Sequence, residues 1–283
     1  MENFYQHLFV SMNTRKQQIV DLLRQLRLLS LADYIRYLMD LKNNRVRNKT
    51  FIEAHPDFRL PPSELAYDAY GHTNWDAYYC TGIDHAQYIS NLIRKNSSIN
   101  SFAICEWGCG PARILRHLPL FFEGCNLSLY GFDYNPKTIK WCQDNINNIV
   151  FNQNFLSPPL NQDADSFDCL YCVSVFTHLS RDMHFAWMKE ISRVVKPNGL
   201  LIITTHGEPA KAHLLKREQQ VFEMGELVIR DKVKEGKRTF VAYQPTSFVR
   251  EKLLADLVVV EHITNPIPSN LTQDIWVVKN AKT

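Results

Sequence analysis

The chain has 283 residues, 45% hydrophobic and 12% aromatic, which suits one enlarged domain, or a domain with a helical addition, around a packed core. A net charge of +3 is too small to imply nucleic acid by itself, and no apolar run approaches the ~18 residues of a membrane span. Seven cysteines is an odd number, and Cys105, Cys169 and Cys172 fall in apolar runs, the usage of a reducing compartment; the cytoplasm is the expected location.

Met1 to Thr14 lacks the basic start, long apolar stretch and small-residue cleavage site of a signal peptide. Residues 15–43 carry apolar positions at helical spacing (Ile19, Leu22, Leu23, Leu26, Leu29, then Ile35, Leu38 and Leu41), predicting one long helix or two short ones. Nine basic residues face three aspartates between Arg15 and Lys49, which reads as a patch for an anionic substrate or nucleic acid or as the solvated face of a packing helix. Pro56, Pro61 and Pro62 mark a loop, and an aromatic segment with Tyr67, Tyr70, Trp75 and Tyr78 follows, expected either to line a pocket or to pack beneath a loop. Asp84 has the chemistry of an N-cap and is expected to open a further helix.

From Ser101 strands and helices alternate. Strands are expected near 102–106, 127–132, 149–153, 167–173 and 199–205, and helices near 112–117, 136–146 and 181–194. That rhythm gives a parallel sheet with helices on both faces. Residues 208–252 break it with a basic, charge-mixed insertion and a hairpin around Gly236, the candidate for a lid over the substrate. Leu257–Thr264 and Asp274–Lys279 are expected to close the sheet as an antiparallel pair. Cys169 and Cys172 form a Cys-x-x-Cys, but on a strand they point to opposite faces, so no metal or redox centre is expected there.

The stretch Ile104-Cys105-Glu106-Trp107-Gly108-Cys109-Gly110-Pro111-Ala112-Arg113 reads as a strand, a glycine turn and a helix start. Glycine at 108 and 110 lets the backbone bend sharply and lie against a ligand. Asp133 ends the next strand, 23 positions after Gly110, near the ~20-residue spacing at which an acid meets a ribose hydroxyl. A nicotinamide dinucleotide is the first alternative. Its pyrophosphate wants a third glycine, where Arg113 stands, and is repelled by a carboxylate such as Glu106. A carboxylate suits an ammonium group, which points to a nucleoside with a cationic amino-acid tail.

Glu106-x-Gly108-x-Gly110-x-Ala112, followed by Gly131-Phe132-Asp133-Tyr134-Asn135-Pro136, resembles the first two motifs of the class I S-adenosylmethionine-dependent methyltransferases. Asn154, Val173-Ser174-Val175-Phe176-Thr177-His178 and Lys196-Pro197-Asn198-Gly199 match later motifs in order, and the resemblance covers roughly residues 80–280. It implies a Rossmann-like sheet, parallel with an antiparallel last strand, with helices on both faces and an N-terminal helical addition. Residues 1–80 would then be a helical segment and substrate cover, and 81–283 the methyltransferase domain with its 208–252 insertion.

By the same resemblance Glu106, Gly108 and Gly110 face the methionine half of S-adenosylmethionine and Asp133 its ribose. Tyr134 lies against adenine, and Asn154, where many members carry Asp, bonds the adenine edge. Ser174 and Val175 contact the cofactor through backbone, and Arg113 meets its carboxylate or caps the loop against Glu106. His178 and His206 end the fourth and fifth strands and are the candidate general bases; a packed, backbone-satisfied ring is the alternative for each. No Asn-Pro-Pro-Tyr follows the fourth strand, which lowers DNA and glutamine as targets. The expected reaction is methyl transfer to oxygen or nitrogen of a small molecule or glycan, with no metal, no membrane and no nucleic acid. The alternatives are an RNA or protein methyltransferase and, in another class, an inactive scaffold of the same fold.

Overall fold

A computed structural model describes residues 19–97, 101–264 and 273–282. Two helices begin it: α1 over residues 19–25 and α2 over Leu29–Ala54. They are separated by Arg27 in the left-handed region (φ 59°), so the periodic segment is two helices and the second continues beyond position 43. Two more follow, α3 (Ser63–Tyr70) and α4 (Trp75–Asn96). Asn74 caps α4, its Oδ1 accepting from the Ala77 amide at 3.1 Å. Asp84, expected to open this helix, lies inside it; the side chain able to accept the first-turn amide comes ten residues earlier.

The sheet holds β1 (Ser101–Trp107), β2 (Asn126–Asp133), β3 (Val150–Gln153), β4 (Phe167–Cys172), β5 (Val195–Thr205), β8 (Val258–Ile263) and β9 (Asp274–Lys279). Its order is β3-β2-β1-β4-β5-β9-β8. Strands β1 to β5 pair parallel, and β9 runs antiparallel between β5 and β8. This is the Rossmann-like architecture expected. Helices α5 (Pro136–Asn145) and α6 (Arg181–Val194) cover opposite faces. Asn135 caps α5 by accepting from the Lys137 amide, and Pro136 presets its first turn.

Each sheet face has its own core. Leu118, Ile139, Phe151 and Cys169 lie on one side, and Trp107, Phe176, Trp187 and Cys172 on the other. Cys169 and Cys172 therefore do sit on opposite faces. Asn280 ties the end of β9 to the α6–β5 turn, its Nδ2 donating to Ser192 O at 2.8 Å and Val195 O at 2.7 Å.

No α-helix follows β1. Residues 112–117, expected as helix, turn through Ala112 (φ 54°) into a 3-10 segment, Leu115–Phe121. Two features explain this. The Leu115 amide, which a helix would give to a carbonyl, goes to Glu106 Oε2 at 3.1 Å, and Pro119 has no amide proton to give. In the insertion, α7 (Lys216–Glu223) precedes a hairpin of β6 (Val228–Arg230) and β7 (Val241–Tyr243). The residues between the two strands fold back onto the sheet edge, where the Gly236 amide donates to His178 O at 3.1 Å.

Candidate functional site

A cavity of about 530 Å³ opens at the carboxyl edge of β1, β2 and β4, beneath α3, the first part of α4 and the β6–β7 connection. Its floor is the glycine turn. Gly108 (φ 74°) and Gly110 (φ 51°) occupy left-handed backbone. The Gly108 and Cys109 amides both donate to Phe132 O, at 2.7 and 2.9 Å, which clamps the turn to the tip of β2. A Cβ on Gly108 would sit 2.3 Å from Val175 Cγ2, and one on Gly110 would crowd Tyr70 and Ala69 at 3.1–3.2 Å.

Two carboxylates flank this turn. Glu106 accepts from Tyr171 Oη at 3.0 Å and from the Leu115 amide. Burial nonetheless pushes its carboxyl up to about 8, these hydrogen bonds opposing the shift. Asp133 accepts from the Gly110 amide at 3.0 Å and the Asn135 amide at 2.8 Å, and burial pushes it to about 6. A cation beside Glu106 and a donor pair beside Asp133 would each offset the cost of ionising a buried group.

Beyond Asp133 the wall is Tyr134, Asn154 and Phe155. Asn154 Nδ2 donates to Phe155 O at 2.6 Å, whereas its buried Oδ1 has no protein partner among the described residues. That acceptor suits an exocyclic amino group, so the residues fit a purine edge here. Phe155 is 76% exposed at the rim. Arg113 lies across the turn, its guanidinium 4.7 Å over the Tyr70 ring and hydrogen-bonded to Thr81 Oγ1. Its Nε, buried and without a protein partner among the described residues, fits a ligand carboxylate.

At the β4 tip, Ser174 adopts a positive φ of 62°. Its amide donates to Thr204 Oγ1 at 2.8 Å, and its Oγ lies 2.8 Å from Gln273 Nε2. Gln273 Oε1 in turn accepts from Thr204 Oγ1 at 2.6 Å, closing a polar loop on the cavity wall. His178 lines the same cavity from the 3-10 turn Phe176–His178. Its Nδ1 lies 2.7 Å from Phe240 O; a carbonyl only accepts, so Nδ1 carries the proton and Nε2 the lone pair. Burial lowers its basicity.

His206 is placed differently. Its Nδ1 meets Ala242 O at 3.1 Å, its Nε2 lies 3.4 Å from Gln273 Nε2, and the ring is not among those lining the cavity. Burial pushes it down to about 4, which keeps it neutral. Glu106, Gly108, Gly110, Arg113, Asp133, Tyr134, Asn154, Ser174, Val175 and His178 are brought together around one space.

Among the segment's aromatics, Tyr70 reaches the cavity wall; Trp75 and Tyr78 are core residues, and Tyr78 Oη donates to Pro111 O at 2.7 Å. Tyr67 packs under α2, with its hydroxyl 3.3 Å from Asp33 O. His72, His85 and Gln273 line the cavity and were not singled out from the sequence. The helical spacing of Ala77, Thr81 and His85 is the signal that could have found His85. Asp274 opens β9 at the carboxyl edge of β5. It pairs with Thr205, the last residue of β5, because an antiparallel strand begins where its parallel neighbour ends. It is fully buried and holds His262 Nε2 at 3.0 Å.

Ion pairs fasten the roof. Arg238 makes two hydrogen bonds to Asp33 of α2, at 2.6 and 2.7 Å, and Lys237 reaches Asp68 of α3 at 3.1 Å. Arg24 of α1, 4% exposed, donates to Arg230 O and Thr239 O. Part of the basic N-terminal surplus is thus spent on internal contacts. No helix among the described residues is long and apolar enough to cross a membrane, and none of their His, Cys, Asp and Glu side chains group in threes to hold a metal ion.

Residues 105–203 match the family described as "Methyltransferase domain". Among solved structures, the PH0226 protein of Pyrococcus horikoshii is 13% identical, covers 81% of this chain and 99% of its own, and superposes with a TM-score of 0.51. An S-adenosylmethionine-dependent methyltransferase of Methanosarcina mazei is 19% identical over 66% of this chain and 95% of its own, with a TM-score of 0.48. The 1,6-didemethyltoxoflavin-N1-methyltransferase of Burkholderia thailandensis, solved with S-adenosylhomocysteine, is 13% identical over 80% of this chain and 93% of its own, with a TM-score of 0.49. The likeness to the Pyrococcus horikoshii protein shows a shared fold. The family match spans the glycine turn, β2, β4 and most of β5, so this part of the chain is a methyltransferase domain, and the residues around the cavity fit S-adenosylmethionine as its cofactor.

Proposed function

We propose that this enzyme methylates an oxygen or nitrogen of a small molecule or glycan, with His178 as the acceptor-side base. The observation that carries the reading is the commitment of His178 Nδ1 to Phe240 O on the cavity wall, which leaves Nε2 able to take a proton. The sulfonium of bound S-adenosylmethionine supplies an electrophilic methyl group. The chain's residues then hold, exclude water and move one proton. Glu106 takes the ligand ammonium and Arg113 its carboxylate; Gly108 and Gly110 let the backbone approach. Asp133 accepts from the ribose diol, Tyr134 lies against adenine, and Asn154 Oδ1 accepts from the adenine amino group. Ser174 holds the β4 tip against the cofactor.

The acceptor class rests on enclosure. The cavity is roofed by α3 and the β6–β7 connection, which favours a compact acceptor or a chain end over a folded macromolecule. The free cysteines favour a reducing compartment, so we place the enzyme in the cytoplasm. The test is methyl transfer from S-adenosyl[methyl-³H]methionine into a cell extract divided into small-molecule, glycan, RNA and protein fractions. Label in the first two is expected; label confined to RNA or protein overturns the acceptor class.

A further inference from the structure

Eleven of the nineteen large apolar side chains exposed among the described residues lie between Ile19 and Ile52. Six of them, Leu28, Leu31, Tyr34, Ile35, Leu38 and Met39, cluster on the first turns of α2 or just before it, and Leu31 is 58%, Ile35 50% and Leu38 47% exposed. Leu28, Leu31, Ile35 and Leu38 follow the alternating three- and four-residue steps of a coiled-coil seam. The opposite side of α2 is already used: Asp33 holds Arg238, Asp40 accepts from Thr73, and Phe51 is core. The seam faces outward.

We propose that this face of α2 is a self-association surface on which a second copy of the chain packs in antiparallel orientation. Two observations select that occupant. At ~100 Å² per half-exposed side chain, these six residues offer on the order of 600 Å² of apolar surface, at the upper end of what a monomer exposes in one patch and most of the ~800 Å² per partner of a stable interface. The seam's own charge then sets the direction. Continuing its steps past Leu38 gives Lys42, Arg45 and Lys49, of which only Lys49 has a carboxylate within ion-pair reach among the described residues, Glu53 at 3.8 Å. A parallel pair would stack these cations on their own copies. An antiparallel pair centred near position 33 sets Leu28 against Leu38 and Leu31 against Ile35, and carries the cations outward past the contact.

The consequence for the enzyme is rigidity of its roof, because the same helix holds Arg238 through Asp33. The proposal is independent of the acceptor.

Sedimentation equilibrium of the full chain tests it. A mass twice the 33.0 kDa of one chain is expected, falling to one chain in the double variant Leu31→Glu/Leu38→Glu. That variant should keep its thermal transition and its affinity for S-adenosylhomocysteine, since neither residue touches the cavity. Nitroxide labels at Lys49→Cys, with Cys80 and Cys125 replaced by Ser, should lie on the order of 50 Å apart across the pair, against ~10 Å for a parallel one. A monomer at 100 μM, or a dimer indifferent to the two glutamates, overturns the proposal. So does a monomer that dimerises only after residues 1–18 are removed, which would make that segment the occupant. Co-sedimentation of a monomer with phosphatidylserine vesicles would make the occupant a lipid surface and overturn it equally.

Discussion

Replacing Glu106 by Gln should stabilise the ligand-free protein at alkaline pH. Glu106 is 3% exposed, and burial raises its carboxyl from 4.5 to about 8 despite hydrogen bonds from Tyr171 and Leu115. A native pKa above the unfolded one means the native state binds the proton more tightly. The stabilising contribution is therefore complete below pH ~4.5 and is lost as pH rises through the native value near 8. About three and a half decades at ~1.36 kcal/mol each set an upper figure of about 5 kcal/mol. Water entering the cavity and relaxation of the turn reduce it, so at pH 8.5 a gain of about 2 kcal/mol is expected for Glu106→Gln relative to wild type. In a chain of this size that is a rise of roughly 4–8 °C in Tm. The amide cannot ionise, and its oxygen still accepts from Leu115. The assay is thermal unfolding of both proteins from pH 5 to pH 9 without ligand. The Tm difference should grow with pH above 5. A flat difference, or a variant less stable at pH 8.5, would show that Glu106 is ionised at ordinary pH and refute the reasoning.

The same proton should appear in binding. If Glu106 meets the ligand ammonium, S-adenosylmethionine titrated at pH 7 releases roughly one proton, measured from heats in buffers of different ionisation enthalpy; no release detaches Glu106 from the ligand. Gly108→Ala should weaken cofactor binding at least tenfold, because its Cβ meets Val175 at 2.3 Å and its φ is 74°. Adding Val175→Ala should restore part of that loss, and full restoration would mean the backbone conformation costs nothing. His178→Ala should cut turnover at least a hundredfold while leaving S-adenosylhomocysteine affinity nearly unchanged. Because burial lowers the basicity of His178, the wild-type rate should hold to below the usual imidazole range and fall only at more acid pH; loss of rate and affinity together would make the residue structural. Arg238→Ala should loosen the roof, seen as faster protease cleavage between residues 26 and 60 at unchanged Tm of the sheet core, and unchanged cleavage would relieve Arg238 of that duty.

The sheet was legible because its strands are short apolar runs, β1 and β2 with a carboxylate one residue before or at their ends, and buried parallel strands leave that pattern whatever surrounds them. The cofactor wall was legible for the same reason: its residues stand at strand tips, where chain order gives position. What failed was decided across the chain. Residues 112–117 have helical composition, but a carboxylate from β1 takes the amide a helix needs. Asp84 is a good cap in a place where Asn74 had already started the helix. His178 and His206 looked equivalent as histidines at strand ends, yet the ring of only one of them lines the cavity.

The roof pairs Asp33 with Arg238 and Asp68 with Lys237, partners 205 and 169 positions apart. On a ribosome the helices that carry the two aspartates emerge early, and their cations are among the later residues made. Until then Asp33 lacks its ion-pair partner and the apolar seam of α2 is bare, while strands β1 to β5 can already pair. Contacts this distant in sequence form late. The cavity should therefore be the final part of the molecule to close, after the surface that binds nucleoside has taken shape.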